Sequence, residues 1–498
     1  LIFVVEIKDV DDVKIFYASL LPLDIKELLD SEKGKRQKSL SIPIKPLGVS
    51  NTVTLENICY NFLLDREKQF STAKYSKGMG DLLKYEHMHV NAIIGKMPPE
   101  DYILNNDLYL YGKEYENSIP IPISKIKVET ISHQVKKEIV VNSKKFYNEY
   151  TVLRNFLGAV IEFGKCIKYN MDNSKLEYKF IGNLEERIRE TGFLLALIEN
   201  GSFKIGEVTL HSNDKKLSNE QNEQWKFLNR YLKHLKDIET LLGLFKVDTE
   251  LDMNKLTEKQ EENLYILIEN ILYNKRVKDR SIKSGTHRID IANLSLLVFI
   301  NVDDDGYLSI EDFFNVNNYS LIIAGNETEK TIECSPYINL TAKDLSNTSN
   351  IKTEVIESSI KQFPLDKTYS KYVTFLILEL IKAFDSNRKL DKILRLALDL
   401  SDWLISYDDK SVINTINRYQ IIVRERPLIK LEIEDLIEFR NKHTENDEIA
   451  CAISILLKNK TDYEFFYSKL PEEKKSVFVE YPISNLTSCF DDVSICNE

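Results

Sequence analysis

The residues whose spacing carries the most chemistry stand at the start of the chain. Leu1 to Lys8 is β-branched and aromatic, and side chains alternate along a strand, so Glu6 and Lys8 share one face while Val5 and Ile7 point to the other. A carboxylate and an ammonium on one strand face make half of a metal-dependent hydrolytic site. The carboxylate holds a divalent ion such as Mg2+, and the lysine orients or activates the attacking water. Glu6 and Lys8 are therefore the catalytic candidates and Glu6 the metal ligand. The missing half is an acidic residue from a preceding strand or turn, which would lie ahead of Leu1. The alternative is an edge strand whose charges discourage edge-to-edge pairing.

Three other stretches have ligand-type spacing. His87 and His89, at i and i+2 on a strand, face the same way and share a metal if a third ligand reaches them. Asn301 to Asp312 places Asn301, Asp303, Asp305 and Ser309 at the first, third, fifth and ninth positions of an EF-hand loop, with Gly306 at the sixth. Its twelfth position is Asp312 instead of the bidentate glutamate, and the apolar run Leu294 to Ile300 ahead of it reads as a strand, so a β-hairpin turn is the competing reading. Lys33 to Lys38 is a dense basic stretch that reads as a phosphate-contacting loop or a solvated one. Phosphate-binding, dinucleotide-binding and nucleophile-elbow motifs do not occur, which argues against NTPase, dehydrogenase and nucleophile-elbow hydrolase readings.

Composition narrows the class. The 498 residues carry 67 Lys and Arg against 78 Asp and Glu, a net charge of −11 that excludes a uniformly basic nucleic-acid binder but not a local basic surface. The six cysteines are scattered without a Cys-X-X-Cys pair, which is neither a zinc site nor a disulfide framework and suits a reducing cytoplasm. No apolar run reaches the roughly 18 residues of a membrane span, so no membrane partner is expected.

The elements that must position these groups follow from periodicity. Leu1 to Lys8 and Val13 to Ala18 read as a hairpin, and Asp24 with Glu27 reads as a capping box opening a helix. Thr54 caps a second helix, Ile119 to Ser124 is an extended edge because of its prolines, and Val160 to Ile181 forms one hairpin around Asp172 to Lys175. Asn183 opens a helix that Asn200-Gly201 stops. Two middle helices, begun by Ser218-X-X-Gln221 and Thr257-X-X-Gln260, form a helical hairpin, and strands return at Ile289 to Ile300. Helical periodicity covers Tyr369 to Phe384, Lys389 to Ile405, Val412 to Val423, Leu431 to His443 and Glu448 to Lys458. The expected fold is multidomain α+β: a truncated endonuclease-like α/β domain over 1–95, a β-rich α+β domain with inserted helices over 96–350, and a helical domain over 351–498, of which the region from about Tyr369 to the C-terminus is expected to fold separately.

Phe3 to Lys8, Ile15 to Ile25, Ile58 to Phe62 and Lys68-Gln69 together resemble the latter part of a bacterial domain family of unknown function, placed near restriction-endonuclease-like nucleases and found in phage-defence settings. The resemblance covers roughly the first 90 residues. It implies a divalent metal, a nucleic-acid substrate and a cytoplasmic location. In that family the Glu/Gln-X-Lys strand precedes the strand aligned with Leu1 to Lys8. On that alignment Glu6 and Lys8 are bystanders, and the chain, which begins in mid-strand, is a remnant. Two functions follow: a defence-associated metal-dependent nuclease or its remnant, and a non-catalytic interaction protein that assembles with other defence components.

Overall fold

The computed structural model describes the chain apart from residues 10–11, 32–38, 40, 49–53, 77, 95–97, 174, 212–218, 280, 316–320, 324–331, 444 and 491–498. The basic stretch 33–38 and Ser218 lie outside the described residues. The chain forms two compact units, one of Leu1–Ile181 with Arg189–Leu228 and one of Gly182–Ile188 with Asn229–Glu498.

In the first unit the expected hairpin is present. Strands β1 (Ile2–Asp9) and β2 (Asp12–Ala18) pair antiparallel with Glu6 opposite Lys14, and β3 (Lys45–Pro46) lies on the far side of β2. Helix α1 (Pro22–Asp30) follows, but its cap differs from expectation. Leu21 is the N-cap, its N–H donates to Asp24 Oδ2 at 2.8 Å, and Asp24 is the third helical residue. Pro22 explains the shift, since proline is preorganised for the first helical position, where its missing N–H costs nothing.

Thr54 caps α2 (Leu55–Gln69) as expected. Strand β4 (His87–Val90), helix α3 (Pro99–Asn105) and strands β5 (Asp107–Lys113) and β6 (Ile121–Lys127) follow, the strands in the order β4-β5-β6. β6 is an edge, as its prolines require. The sheet joins residues on both sides of the border expected at 95.

Strands β7 (Thr130–Val135), β8 (Ile139–Val141), β9 (Lys144–Tyr147), β10 (Tyr150–Asn155), β11 (Gly158–Phe163), β12 (Ile167–Asn170) and β13 (Lys175–Tyr178) follow; β7 and β10 to β13 form one sheet of order β13-β12-β11-β10-β7, and β8 and β9 belong to another. The single hairpin expected over 160–181 is two, because β11 and β12 are separated by a turn at Gly164. Its φ is +59°, and a Cβ there would stand 2.2 Å from Glu190 Oε1. The fully buried Glu190 accepts the N–H groups of Lys165 and Cys166 and so fixes the turn. Helix α4 (Leu184–Asn200) opens on a reciprocal Asn183–Glu186 box and stops at Gly201, φ +63°. Strands β14 (Ser202–Ile205) and β15 (Val208–His211) join a second sheet of order β15-β14-β8-β9.

In the second unit the helical hairpin of α5 (Asn219–Leu244) and α6 (Glu258–Leu267) buries Leu235, Ile238, Leu241, Leu264 and Leu267. These pack against a sheet of β16 (Val277–Lys278), β17 (Gly285–Ile291), β18 (Leu294–Val302) and β19 (Tyr307–Asp312), ordered β16-β19-β18-β17. β18 is covered on both faces. Leu296, Val298 and Ile300 belong to the core with α5 and α6, while Leu297 and Phe299 point into the core of the helices that follow. A two-stranded ribbon, β20 (Leu321–Ile323) and β21 (Ile332–Cys334), intervenes.

Helices α7 (Ala342–Asn347), α8 (Thr353–Lys361), α9 (Lys367–Ser386), α10 (Asp391–Tyr407), α11 (Val412–Glu425), α12 (Lys430–Lys442), α13 (Asp447–Leu456), α14 (Lys460–Lys469) and α15 (Glu472–Glu480) complete the unit. The five expected helices each fall within a few residues of an observed one. The border expected at 350 crosses packed structure instead of a linker. Leu297, Phe313, Phe314 and Tyr337 share one core with Ile356, Val373, Leu376 and Leu400. Lys352 Nζ donates to Asp312 Oδ2 at 2.6 Å with both side chains buried. Asn350 bonds both the N–H and the C=O of Leu297.

Candidate functional site

Glu6 and Lys8 do share a face of β1, with Lys8 Nζ 3.7 Å from Glu6 Oε1 and their side chains 44% and 57% exposed. Val5 and Ile7, on the opposite face as expected, are 53% and 70% exposed. The pair thus stands in water on an edge strand, where its mutual attraction is worth little. Among the described residues, no three His, Cys, Asp or Glu side chains gather as a metal ion requires. His87 and His89 lie on β4 as expected, but His89 stacks on Tyr111 with ring centroids 5.9 Å apart. Burial, then the charges of Lys68 and Lys113, hold its imidazole below the ordinary pKa.

Asn301 to Asp312 is a hairpin. Asn301 and Ser309, first and ninth in the calcium reading, are cross-strand neighbours in β18 and β19. Asp303 Oδ1 accepts the N–H of Asp305 at 3.0 Å and of Tyr307 at 2.8 Å, closing the turn, and Asp303 Oδ2 accepts Arg276 at 2.9 Å. Asp312, twelfth in that reading, is buried against Lys352.

Two of the cavities among the described residues gather polar side chains that were not foreseen. One, of about 450 Å³ in the first unit, is lined by Asp24, Glu27, Asp65, Tyr109 and Lys125. Asp24 accepts from Lys125 Nζ at 3.1 Å and from the Tyr109 hydroxyl. Asp65 accepts the Tyr111 hydroxyl at 2.8 Å, and burial pushes its carboxyl up to about 6. Gln69 holds the far side of Tyr111 at 3.1 Å and the Leu23 N–H at 3.1 Å. This network braces α1, α2 and β5.

The other is a groove of about 970 Å³ among the C-terminal helices. α9 contributes Thr374, Phe375 and Leu378; α13 contributes Ile449 and Ala452; Phe478 and Ile483 lie further along the chain. α11 contributes a stripe of amides, Asn414, Asn417 and Gln420, at helical steps of three. All three are buried, at 7%, 4% and 2% exposure. Gln420 Nε2 donates to Asn417 Oδ1 at 2.8 Å, and Asn414 Oδ1 accepts from Thr374 at 3.4 Å. Two atoms remain: Asn417 Nδ2 and Gln420 Oε1 are buried without a hydrogen-bond partner. An unmet buried group costs about 1–3 kcal/mol. That makes them a departure from the rule that buried polar atoms are bonded.

Compared with protein-family models, curated proteins and solved structures, the chain gives no match.

One turn beyond Gln420, the side chain of Arg424 is wholly buried. Its Nε and Nη2 donate to the two carboxylate oxygens of Asp385 at 2.7 Å each, Nη2 also to Pro482 O, and Nη1 to Gln420 O at 2.8 Å. The ion pair pins α11 to α9 and holds the amide stripe at the groove. The three-residue spacing of the amides is visible in the sequence. That two of their atoms lack partners is not, because it depends on what the neighbouring helices offer.

Proposed function

We propose that the chain is an interaction protein that holds a partner in the groove of its C-terminal helices. The observation that carries this reading is the pair of buried, unpartnered amide atoms of Asn417 and Gln420 beside an open groove. Local arrangements that cost stability and persist are characteristic of functional sites. The groove's apolar walls with a few polar groups match the usual make-up of a binding site.

The competing proposal is a nuclease with Mg2+ at Glu6 and Lys8 acting on water, supported by the Glu6–Lys8 spacing. The defence setting rests on the resemblance of the first 90 or so residues alone. An assay separates the two. Purified chain incubated with DNA or RNA and Mg2+ or Mn2+ is expected to cleave neither beyond the level of a Lys8→Ala variant. Cleavage by the native chain that disappears in Lys8→Ala would overturn the interaction reading and make Glu6 and Lys8 catalytic.

A further inference from the structure

We propose that the groove binds an extended polypeptide segment through its main chain. This rests on the binding reading above and adds the class of occupant. The two unpartnered atoms are one donor, Asn417 Nδ2, and one acceptor, Gln420 Oε1, and both are shielded from solvent, so an occupant reaches them only as the side chains around them move aside. They belong to amides already joined by the Gln420–Asn417 bond, and turning either amide over would break that bond. The occupant must therefore bring an acceptor and a donor together. An extended strand does this: the C=O and N–H of one residue emerge on the same edge, repeating every second residue.

The rest of the groove agrees. Its rim carries Phe375 at 50%, Ile413 at 61% and Tyr407 at 54% exposure, apolar area suited to the side chains of such a segment. Its charged residues balance, with Lys367 and Lys371 against Asp408 and Glu448. A phosphate backbone is bound by an excess of cations, so this balance disfavours nucleic acid as the occupant. A volume of about 970 Å³ suits several residues in an open conformation more than a single small metabolite.

The test selects from a phage-displayed library of random peptides on the full chain, counter-selected on an Asn417→Leu/Gln420→Leu variant. Selected sequences are then made as synthetic peptides and methylated at one backbone nitrogen at a time. Main-chain recognition predicts that methylation weakens binding by about tenfold or more at alternate positions and little between them. Ile413→Glu, an exposed change at the rim, is expected to weaken the same peptides while leaving the fold intact. It keeps the test valid if the amide variant fails to fold. Peptides that bind the native chain and Ile413→Glu equally, or that tolerate methylation at every position, would overturn the proposal. So would a selection that returns no groove-dependent peptide, and so would a small amide or nucleobase that fills the groove in place of peptide. None of these outcomes bears on the nuclease assay, so a failure here is distinguishable from a failure of the interaction reading.

Discussion

Replacing Asp385 with alanine is expected to lower the stability of the chain by about 3–5 kcal/mol, the usual consequence of leaving one member of a buried ion pair alone. Arg424 has 0% side-chain exposure and Asp385 11%, and the two meet in a bidentate fork at 2.7 Å. Without the carboxylate the guanidinium keeps only the carbonyls of Gln420 and Pro482, and Asn485 loses its 2.9 Å bond to Asp385. A cation held by two neutral acceptors in a dry interior cannot recover its hydration. Urea denaturation of the full chain measures the loss. It amounts to a large share of a typical net stability of about 5–15 kcal/mol. A change below about 1 kcal/mol would show that Arg424 swings out to solvent and that the fork does not hold α11 in place.

A second large effect is expected from cutting the chain at 350. The region from about Tyr369 to the C-terminus is expected, from helices that are near neighbours in sequence, to fold separately, but the core of the helical domain 351–498 has a wall outside that range. Leu297, Phe313, Phe314, Tyr337, Ile338 and Leu345 are buried with Ile356, Ile360, Tyr369 and Val373, which are themselves 0–2% exposed. Uncovering a large buried side chain costs about 1.5–3 kcal/mol, so losing this wall exceeds what a domain has to spare. The fragment 351–498 is expected to show a helical circular-dichroism spectrum without a cooperative melt. The longer fragment 229–498 retains the sheet and is expected to melt cooperatively. A sharp transition in the shorter fragment would contradict the shared core.

These cases show what was legible in the sequence. Elements set by local chemistry were: the β1–β2 hairpin, the caps at Thr54, Asn183 and Thr257, and the five long C-terminal helices. Elements set by distant partners were not. The apolar run Leu294 to Ile300 identifies a strand, but an almost unbroken apolar run also signals cover on both faces, and here the second cover comes from the helices beyond 350. The border expected at 350 falls at the end of the polar stretch 344–350. Asn350 is instead a buried partner of Leu297 and Asp312, and polarity alone does not separate a solvated loop from a satisfied interior. The Glu6–Lys8 pair was found where periodicity put it, but its exposure depends on what covers β1. The amide stripe of α11 sat in full view, and only the packing of α9 and α13 shows that two of its atoms go unpaired.

The most direct measurement of the central claim is the melting of an Asn417→Leu/Gln420→Met variant beside the native chain. Both replacements keep roughly the original shape and remove the two unpartnered atoms together with the bond between the amides. If those amides are kept for binding at the expense of stability, removing them recovers part of about 1–3 kcal/mol for each unmet group. The melting midpoint should then stay level or rise while peptide binding is lost. A midpoint that falls by several degrees with binding unchanged would show that the amides are structural and that the groove is not the site.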